Sequence, residues 1–225
     1  IEYCLMEAGV QIEEIDFIAV SWNPSIYFTK FNPLLSGQRR HLVEQIYSVP
    51  DNLMDFYGRP LFDYSYQEFA RVNKKLKIYY ITHHRAHAAN GFFLSPFNSA
   101  AILTADSQGE FESTTFCRGQ GNKIRLIKAI NYPHSLGVLY STFTEYLGFR
   151  PNSDEWKVMA LASYAKPKNK FYKLMKEHII KFPTKGSFEL NLSFFKGFLH
   201  EQPNLFTEKM DETFGPARKK EEALK

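Results

Sequence analysis

The sequence predicts a mixed α/β fold in which helices flank a mixed sheet, and composition, pattern and order support it. Apolar residues make up 44% of the 225-residue chain and aromatic residues 16%, enough to bury a sizeable core. Apolar runs of strand length are mixed with segments of helical periodicity. Because the two kinds of segment do not alternate strictly, a mixed sheet is favoured over a regular doubly wound one.

Turn residues and apolar periodicity divide the first half into helices and strands. The predicted elements are a helix ended by Gly9, a core strand over 16–21, a short helix over 41–47, a strand over 77–82 and an alanine-rich helix over 83–94 that Pro96 terminates.

The second half begins with a meander of strands around a glycine-containing turn. A helix follows, with Ser135 as its cap, a repeat of Leu136, Leu139, Tyr140, Phe143 and Leu147, and Gly148 at its end. The other predicted elements are strands over 100–105, 113–118, 124–130 and 187–192 and helices over 155–164 and 169–180.

Two histidines and an aspartate form a candidate metal site. His83 and His87 are four residues apart at a predicted helix start, so both rings project from one face, whereas His84 points elsewhere. Asp106 follows an apolar strand, and ligands bind at such strand ends in open α/β sheets. Two imidazoles and a carboxylate leave open positions on Fe(II), Mn(II) or Zn(II).

Each of these residues also has a purely structural interpretation. The histidines could be solvated, or buried and hydrogen-bonded, and Asp106 could simply initiate a turn. Secondary candidates for substrate or nucleotide binding are Gly109, Glu110, Thr114, His134, Ser135 and Lys157. Gly109 allows a close backbone approach, and Thr114 supplies a hydroxyl donor. His134 and Ser135 stand at a helix start whose free N–H groups favour an anion, although capping alone also explains Ser135. No catalytic residue is assigned.

Four segments in order resemble the O-carbamoyltransferases of antibiotic and nodulation-factor biosynthesis. They read HHRAHAA, LTADSQGE, PHSLGVLYSTFTEYLGF and DEWKVMALASYA. The family patterns are similar to HHxxHAA, LTxDGxGE, PHSLGxLYxxxTxxLGF and GEYKxMGLAPYG. The order and spacing of the segments make the resemblance more specific than any single motif.

This resemblance implies half of an actin-like, ribonuclease-H-like duplicated architecture, in which His83, His87 and Asp106 align with metal ligands. It also implies that carbamoyl phosphate and ATP give carbamoyl-adenylate, whose carbamoyl group passes to a hydroxyl of a small-molecule acceptor. The ion, with Fe(II) favoured over Mn(II) or Zn(II), would polarise the carbamoyl carbonyl. Nucleic acid is not an expected partner, since the net charge of +4 is spread along the chain.

Several residues depart from the family pattern. Ser107, Asp154 and Ala160 stand where the family has glycines, and residues 163–165 replace a Pro-Tyr-Gly turn. We expect the chain to be a partial, truncated N-terminal domain, with a core over 77–165 and a helical or irregular extension over 166–225. The C-terminal domain of its own polypeptide would be a partner, so the fragment alone should not complete the reaction.

Two other functions stay open at this point. One is a non-catalytic metal- or nucleotide-binding module of the same fold, and the other is a relative of the proteins that transfer threonylcarbamoyl to tRNA. The sequence shows neither a signal pattern nor an apolar run of membrane length, and its two cysteines have no metal or redox spacing. We therefore expect a cytoplasmic protein without a membrane partner, which could form oligomers.

Overall fold

A computed structural model of the chain describes residues 2–23, 64–71, 74–196 and 204–222. The predicted helix over 41–47 lies outside these ranges. The chain divides into two compact units. Residues 1–100 with 119–124 form the first, and residues 101–118 with 125–225 form the second. No helix in the described ranges is long and apolar enough to cross a membrane.

The first unit contains a mixed three-stranded sheet. Its strands are β1 (Phe17–Val20), β2 (Tyr64–Arg71) and β3 (Lys74–Ile81), in the order β1-β3-β2. Strand β1 runs parallel to β3 and β2 runs antiparallel to it, which confirms the mixed sheet. Strand β2 has no counterpart among the predicted elements.

Strand β1 forms where predicted, but the prediction that it is a core strand is wrong. Phe17 is 59% exposed and Val20 is 36% exposed. The Phe17 ring meets Tyr79 only edge-on, with centroids 5.6 Å apart, so most of its surface stays uncovered. The preceding helix α1 (Glu2–Ala8) also has no buried residue.

Helix α2 (His83–Phe93) begins directly after β3, as predicted. Its buried residues are His84, Ala88 and Phe92, which repeat every four positions and so form one stripe. Because this stripe starts at His84, the predicted pair His83 and His87 lies off the buried face. The pair therefore lies in the first two turns of α2, close to the end of β3, and not on the buried face of the helix.

Most of a second sheet, of three strands in sequence order, belongs to the second unit, whereas its residues 99–100 and 119–124 belong to the first. The strands are β4 (Ser99–Ala105), β5 (Glu112–Gln120) and β6 (Lys123–Asn131). The predicted turn is confirmed at Gly121 and Asn122, where Gly121 adopts a φ of +56°, which favours glycine. Strands β5 and β6 both extend beyond their predicted bounds.

Helices and two short strands follow the sheet. They are α3 (Leu136–Tyr146), α4 (Glu155–Ala162), α5 (Lys170–Leu174), β7 (Ile180–Lys181), β8 (Glu189–Leu190) and α6 (Glu208–Phe214). The helix predicted over 169–180 is confirmed, but its winding changes from α to π over Met175–Ile179, before β7. The strand predicted over 187–192 shortens to β8, since the chain enters a 3-10 turn at Leu192–Phe194.

The core of the second unit is formed largely by residues distant in sequence from α3. Tyr146 at the end of α3 packs its ring edge-on to Phe206, with centroids 5.2 Å apart. Its hydroxyl donates to the carbonyl of Gly215. Ile179 and Met210, both fully buried, belong to the same cluster. The segment predicted to be an extension thus supplies much of this core.

Candidate functional site

His83 and His87 form a close pair on α2 of the first unit. Their Nε2 atoms are 3.1 Å apart and their ring centroids 4.5 Å apart. On the opposite side of its ring, His83 Nδ1 lies 3.2 Å from the backbone carbonyl oxygen of Ser21. A carbonyl can only accept, so Nδ1 donates in this contact.

The geometry of this pair fits a bound divalent ion. Two imidazole nitrogens about 2.1 Å from one ion, and roughly at right angles around it, are about 3 Å apart. The contact to Ser21 supplies the backbone acceptor that metal-ligating histidines usually have on their second nitrogen. In the absence of an ion, the same spacing accommodates a hydrogen bond between the rings. His84 is fully buried, in line with its exclusion from the predicted set.

Asp106 belongs to the second unit and follows directly after β4. Its backbone N–H donates to the carbonyl of Ser113 over 2.9 Å, and its Oδ1 accepts from the backbone N–H of Ser107 over 2.6 Å. The predicted position at a strand end is confirmed. The contact with Ser107 is to the next residue, whereas a turn-initiating aspartate usually accepts from the amide two residues on. The metal role of Asp106 stays a prediction.

A pocket of about 550 Å³ opens beside Asp106 within the second unit. This volume is in the range of small-molecule sites. Leu136 and Tyr140, two members of the apolar repeat of α3, are partly exposed at the pocket. The pocket is lined by Ala105, Asp106, Ser107, Leu136, Gly137, Tyr140, Ser141, Asn152 and Glu155.

Glu155 is the pocket residue that sequence reasoning missed. Its Oε1 accepts from the Ser141 hydroxyl over 2.9 Å and from the Asn152 backbone N–H over 2.6 Å. Burial raises the pKa of Glu155, but its hydrogen bonds from backbone amides and from Ser141 outweigh that effect, so the pKa is below its ordinary value. The carboxylate therefore stays ionised near neutral pH.

Asn152 shapes the turn that brings Glu155 into the pocket. It adopts a φ of +59°, the left-handed conformation that asparagine tolerates better than most residues. Its backbone N–H thereby points at the carboxylate three residues further on. The sequence signal available for this feature was an asparagine followed, three positions later, by an acidic residue at a helix start.

The secondary candidates after β4 do not line the pocket. The Gly109 backbone N–H donates to the Glu112 carbonyl over 2.6 Å, and Gly109 and Glu110 are buried. Thr114 is buried on β5, and its hydroxyl has no hydrogen-bond partner among the residues that the structure describes. These three residues are therefore buried, and none of them is part of the pocket wall.

The remaining secondary candidates, His134, Ser135 and Lys157, form hydrogen bonds or an ion pair with other residues of the chain. His134 Nδ1 accepts from the Leu190 backbone N–H over 3.1 Å. Ser135 Oγ accepts from the Val138 backbone N–H over 3.1 Å, which confirms its predicted role as the cap of α3. Lys157 forms an ion pair with Asp154 at 3.0 Å and does not line the pocket.

Gly137 supplies a close backbone approach at this site. A Cβ atom at position 137 would lie 2.5 Å from both the Cα and the N of Ser107, which backbone atoms cannot accommodate without moving. The glycine on α3 thus allows the backbone at Ser107 to lie close to the helix.

These features define a mixed α/β protein with a ligand pocket at the end of a strand. A family model described as "Carbamoyltransferase N-terminus" matches residues 1–224. The chain belongs to this carbamoyltransferase N-terminal family, which confirms the resemblance drawn from the four motifs.

Relatives from bacteria support the same assignment. An uncharacterized protein of Synechocystis, sll1178, is 36% identical over 199 residues, covering 87% of this chain and 32% of the relative. The nodulation protein NolNO of Sinorhizobium fredii is 34% identical over 168 residues, covering 74% of this chain and 23% of the relative. The nodulation protein NolO of Bradyrhizobium diazoefficiens is 34% identical over 87 residues, covering 39% and 16%. The chain thus spans a third or less of the length of these relatives.

Proposed function

We propose that this chain is part of an ATP-linked O-carbamoyltransferase. The intact protein would move a carbamoyl group from carbamoyl phosphate, through carbamoyl-adenylate, to a hydroxyl of a small-molecule acceptor. Membership of the carbamoyltransferase family supports carbamoyl transfer in general. The observation that carries the proposal is the pocket beside Asp106, whose wall combines carboxylates, a hydroxyl and apolar surface in a volume suited to a small molecule.

We propose that His83, His87 and Asp106 bind one divalent ion, with Fe(II) favoured over Mn(II) or Zn(II). The close nitrogen atoms of the two histidines and the carbonyl contact of His83 support this donor set. When bound, the ion would act as a Lewis acid on the carbamoyl carbonyl.

Glu155 is suited to binding a substrate rather than to acting as a general base. Its lowered pKa makes it a weak base, whereas an ionised carboxylate accepts strong hydrogen bonds from hydroxyl or amine groups. Leu136 and Tyr140 add apolar surface to the same wall. We infer that this side of the pocket orients a hydroxyl-bearing part of the substrate.

Two other functions have some support. A non-catalytic binding module is motivated by Ser107, Asp154 and Ala160, which replace family glycines. Threonylcarbamoyl transfer to tRNA is motivated only by kinship within the fold group, and the spread of positive charge favours a small acceptor. The C-terminal domain that forms the adenylate, an oligomeric state and a cytoplasmic location remain predictions.

The proposal is tested with the intact protein. We expect release of AMP and pyrophosphate that requires both ATP and carbamoyl phosphate. Glu155→Gln should reduce this turnover, while Glu189→Gln, at an exposed position of β8, should not. If neither product forms with any of the three metals or with a panel of hydroxyl acceptors, the binding-module function is the better one.

A further inference from the structure

Two serines hold the backbone of Asp106 from opposite sides. The Asp106 N–H donates to the carbonyl of Ser113 on β5, and the Asp106 carbonyl accepts from the hydroxyl of Ser135 over 3.0 Å. Both serine side chains are fully buried. Both backbone polar groups of Asp106 are therefore bonded within the unit, so its Cα has little freedom to shift.

The hydroxyl of Ser135 performs two tasks at once. Its oxygen accepts the N–H of Val138 as the cap of α3, and its single proton is donated to the Asp106 carbonyl. With that proton used, Ser135 has none to donate to a ligand. Its place beside the pocket is explained by the connection between α3 and Asp106.

The Ser113 side chain closes a ring of contacts around Asp106. Its hydroxyl contacts the carbonyl of His134 at 2.5 Å and that of Ile130 at 3.2 Å. His134, which precedes the cap residue Ser135, is thus hydrogen-bonded to Ser113. The carbonyl of Ser113 also accepts from the Asp106 N–H. The strand end and the start of α3 are coupled through two buried hydroxyls.

Gly137 completes this arrangement by steric fit. Its Cα faces the backbone of Asp106 and Ser107, where an added Cβ would lie 2.9 Å from the carbonyl carbon of Asp106 and closer still to Ser107. Any side chain at this position would push the turn after Asp106 away from α3. The start of α3 therefore determines how closely the chain after Asp106 can approach the helix.

We propose that Ser135 and Gly137 are positioning residues for Asp106, which set the direction of its carboxylate at the pocket. Neither needs to touch a substrate for this role. The consequence for metal affinity rests on the proposed function, in which Asp106 is a ligand. The consequence for the backbone around Asp106 does not depend on a metal.

The metal-independent test is amide hydrogen exchange of residues 106–109 in the intact protein. Ser135→Ala and Gly137→Ala should each speed exchange of the Asp106 amide, because its bond to Ser113 loses support. The control for Ser135 is Thr142→Val, which removes another fully buried hydroxyl from α3, one that donates to the Val138 carbonyl over 2.7 Å. The control for Gly137 is Gly91→Ala, at a helical glycine whose added Cβ would have no described atom within 4 Å outside its own helix backbone.

The second test is the affinity for Mn²⁺ alone, measured by competition with a chelator. Loss of an outer contact to a metal ligand typically weakens affinity by about 10-fold to 100-fold, and we expect this for Ser135→Ala and Gly137→Ala. Ser135→Thr, which keeps the hydroxyl, should restore most of the affinity. Thr142→Val and Gly91→Ala should bind as the parent does.

The outcomes separate the two proposals. If Ser135→Ala matches the parent in both amide exchange and affinity, the positioning role is overturned. If the parent itself binds no Mn²⁺, the metal role of Asp106 fails, while the exchange data still decide the positioning role. If Gly137→Ala does not fold, the comparison of Ser135→Ala with Ser135→Thr decides it alone.

Discussion

The carboxylate of Glu155 accepts a hydrogen bond from the hydroxyl of Ser141 over 2.9 Å, which joins the first turn of α4 to the middle of α3. Both residues line the pocket beside Asp106. The contact holds one carboxylate oxygen in place and, with the Asn152 amide, keeps the group ionised. A substrate would therefore meet an acceptor that is already oriented.

Replacement of Glu155 by glutamine should weaken substrate binding while preserving the shape of the pocket. A hydrogen bond to a charged group contributes about 1.5–3 kcal/mol, so we expect KM of the intact protein to rise by about 10-fold or more. Steady-state kinetics with each substrate varied in turn would show which one Glu155 contacts. Unchanged KM values for all substrates would remove Glu155 from the binding site.

The pH dependence of stability should reflect the lowered pKa of Glu155. A carboxylate with a depressed pKa stabilises the folded state above its unfolded pKa of about 4.5, and this contribution is lost as pH falls through the lower folded value. We therefore expect the parent and Glu155→Gln to differ by a constant amount from pH 7 to 5. Below pH 4.5 the difference should shrink, as measured by urea unfolding at each pH. A constant difference down to pH 3 would contradict the assigned hydrogen bonds.

Tyr146 should make the protein sensitive to alkali. Burial, with a smaller contribution from Asp211, raises the pKa of Tyr146 to about 12. Because the unfolded chain loses this proton near pH 10 and the folded chain keeps it, stability falls as pH rises from 10 towards 12. The loss approaches about 3 kcal/mol in the limit, at about 1.4 kcal/mol for each of the two pH units.

The matched variant for this prediction is Tyr146→Phe. At pH 8 it should be less stable than the parent by about 1 kcal/mol, because the bond to the Gly215 carbonyl is lost. This deficit should decrease as pH rises above 10, when followed by denaturant unfolding of both proteins. A deficit that stays constant up to pH 11 would show that Tyr146 titrates normally.

Removal of the proposed ligands should lower metal content. We expect His83→Ala and Asp106→Ala in the intact protein to retain much less iron or manganese than the parent, measured by elemental analysis after purification. His178→Ala is the control, since this partly exposed histidine lies near Glu177 and away from the proposed ligands in sequence. Equal metal in the parent and in both ligand variants would disprove the ligand assignment.

Local sequence signals were sufficient for α3. A capping serine, apolar residues at helical spacing and a terminal glycine predicted the helix, and the structure confirms its cap at Ser135 and the φ of +77° at Gly148. The same periodicity did not show which apolar residues are covered. Leu136 and Tyr140 face the pocket instead of the core, because coverage depends on neighbouring elements that the repeat does not specify.

The contact of Glu155 with Ser141 shows why part of the site escaped sequence reasoning. The two residues are 14 positions apart, and the turn at Asn152, with its φ of +59°, brings them together. Spacing rules apply within one helix or strand, whereas this pair joins two helices. The π-helical winding after α5 was also not predicted, because no local sequence pattern distinguishes it from an α-helix.

By itself, the sequence determined the mixed α/β class, the capped helix α3, the strand-end position of Asp106 and, through four ordered motifs, the carbamoyltransferase family. These features depend on local periodicity and residue type, which a chain carries regardless of its packing. Only the tertiary structure decided that Gly137 and Ser135 contact the Asp106 turn and that Glu155 lines the pocket. Such contacts arise from the approach of segments distant in sequence, because steric fit and buried hydrogen bonds act through space.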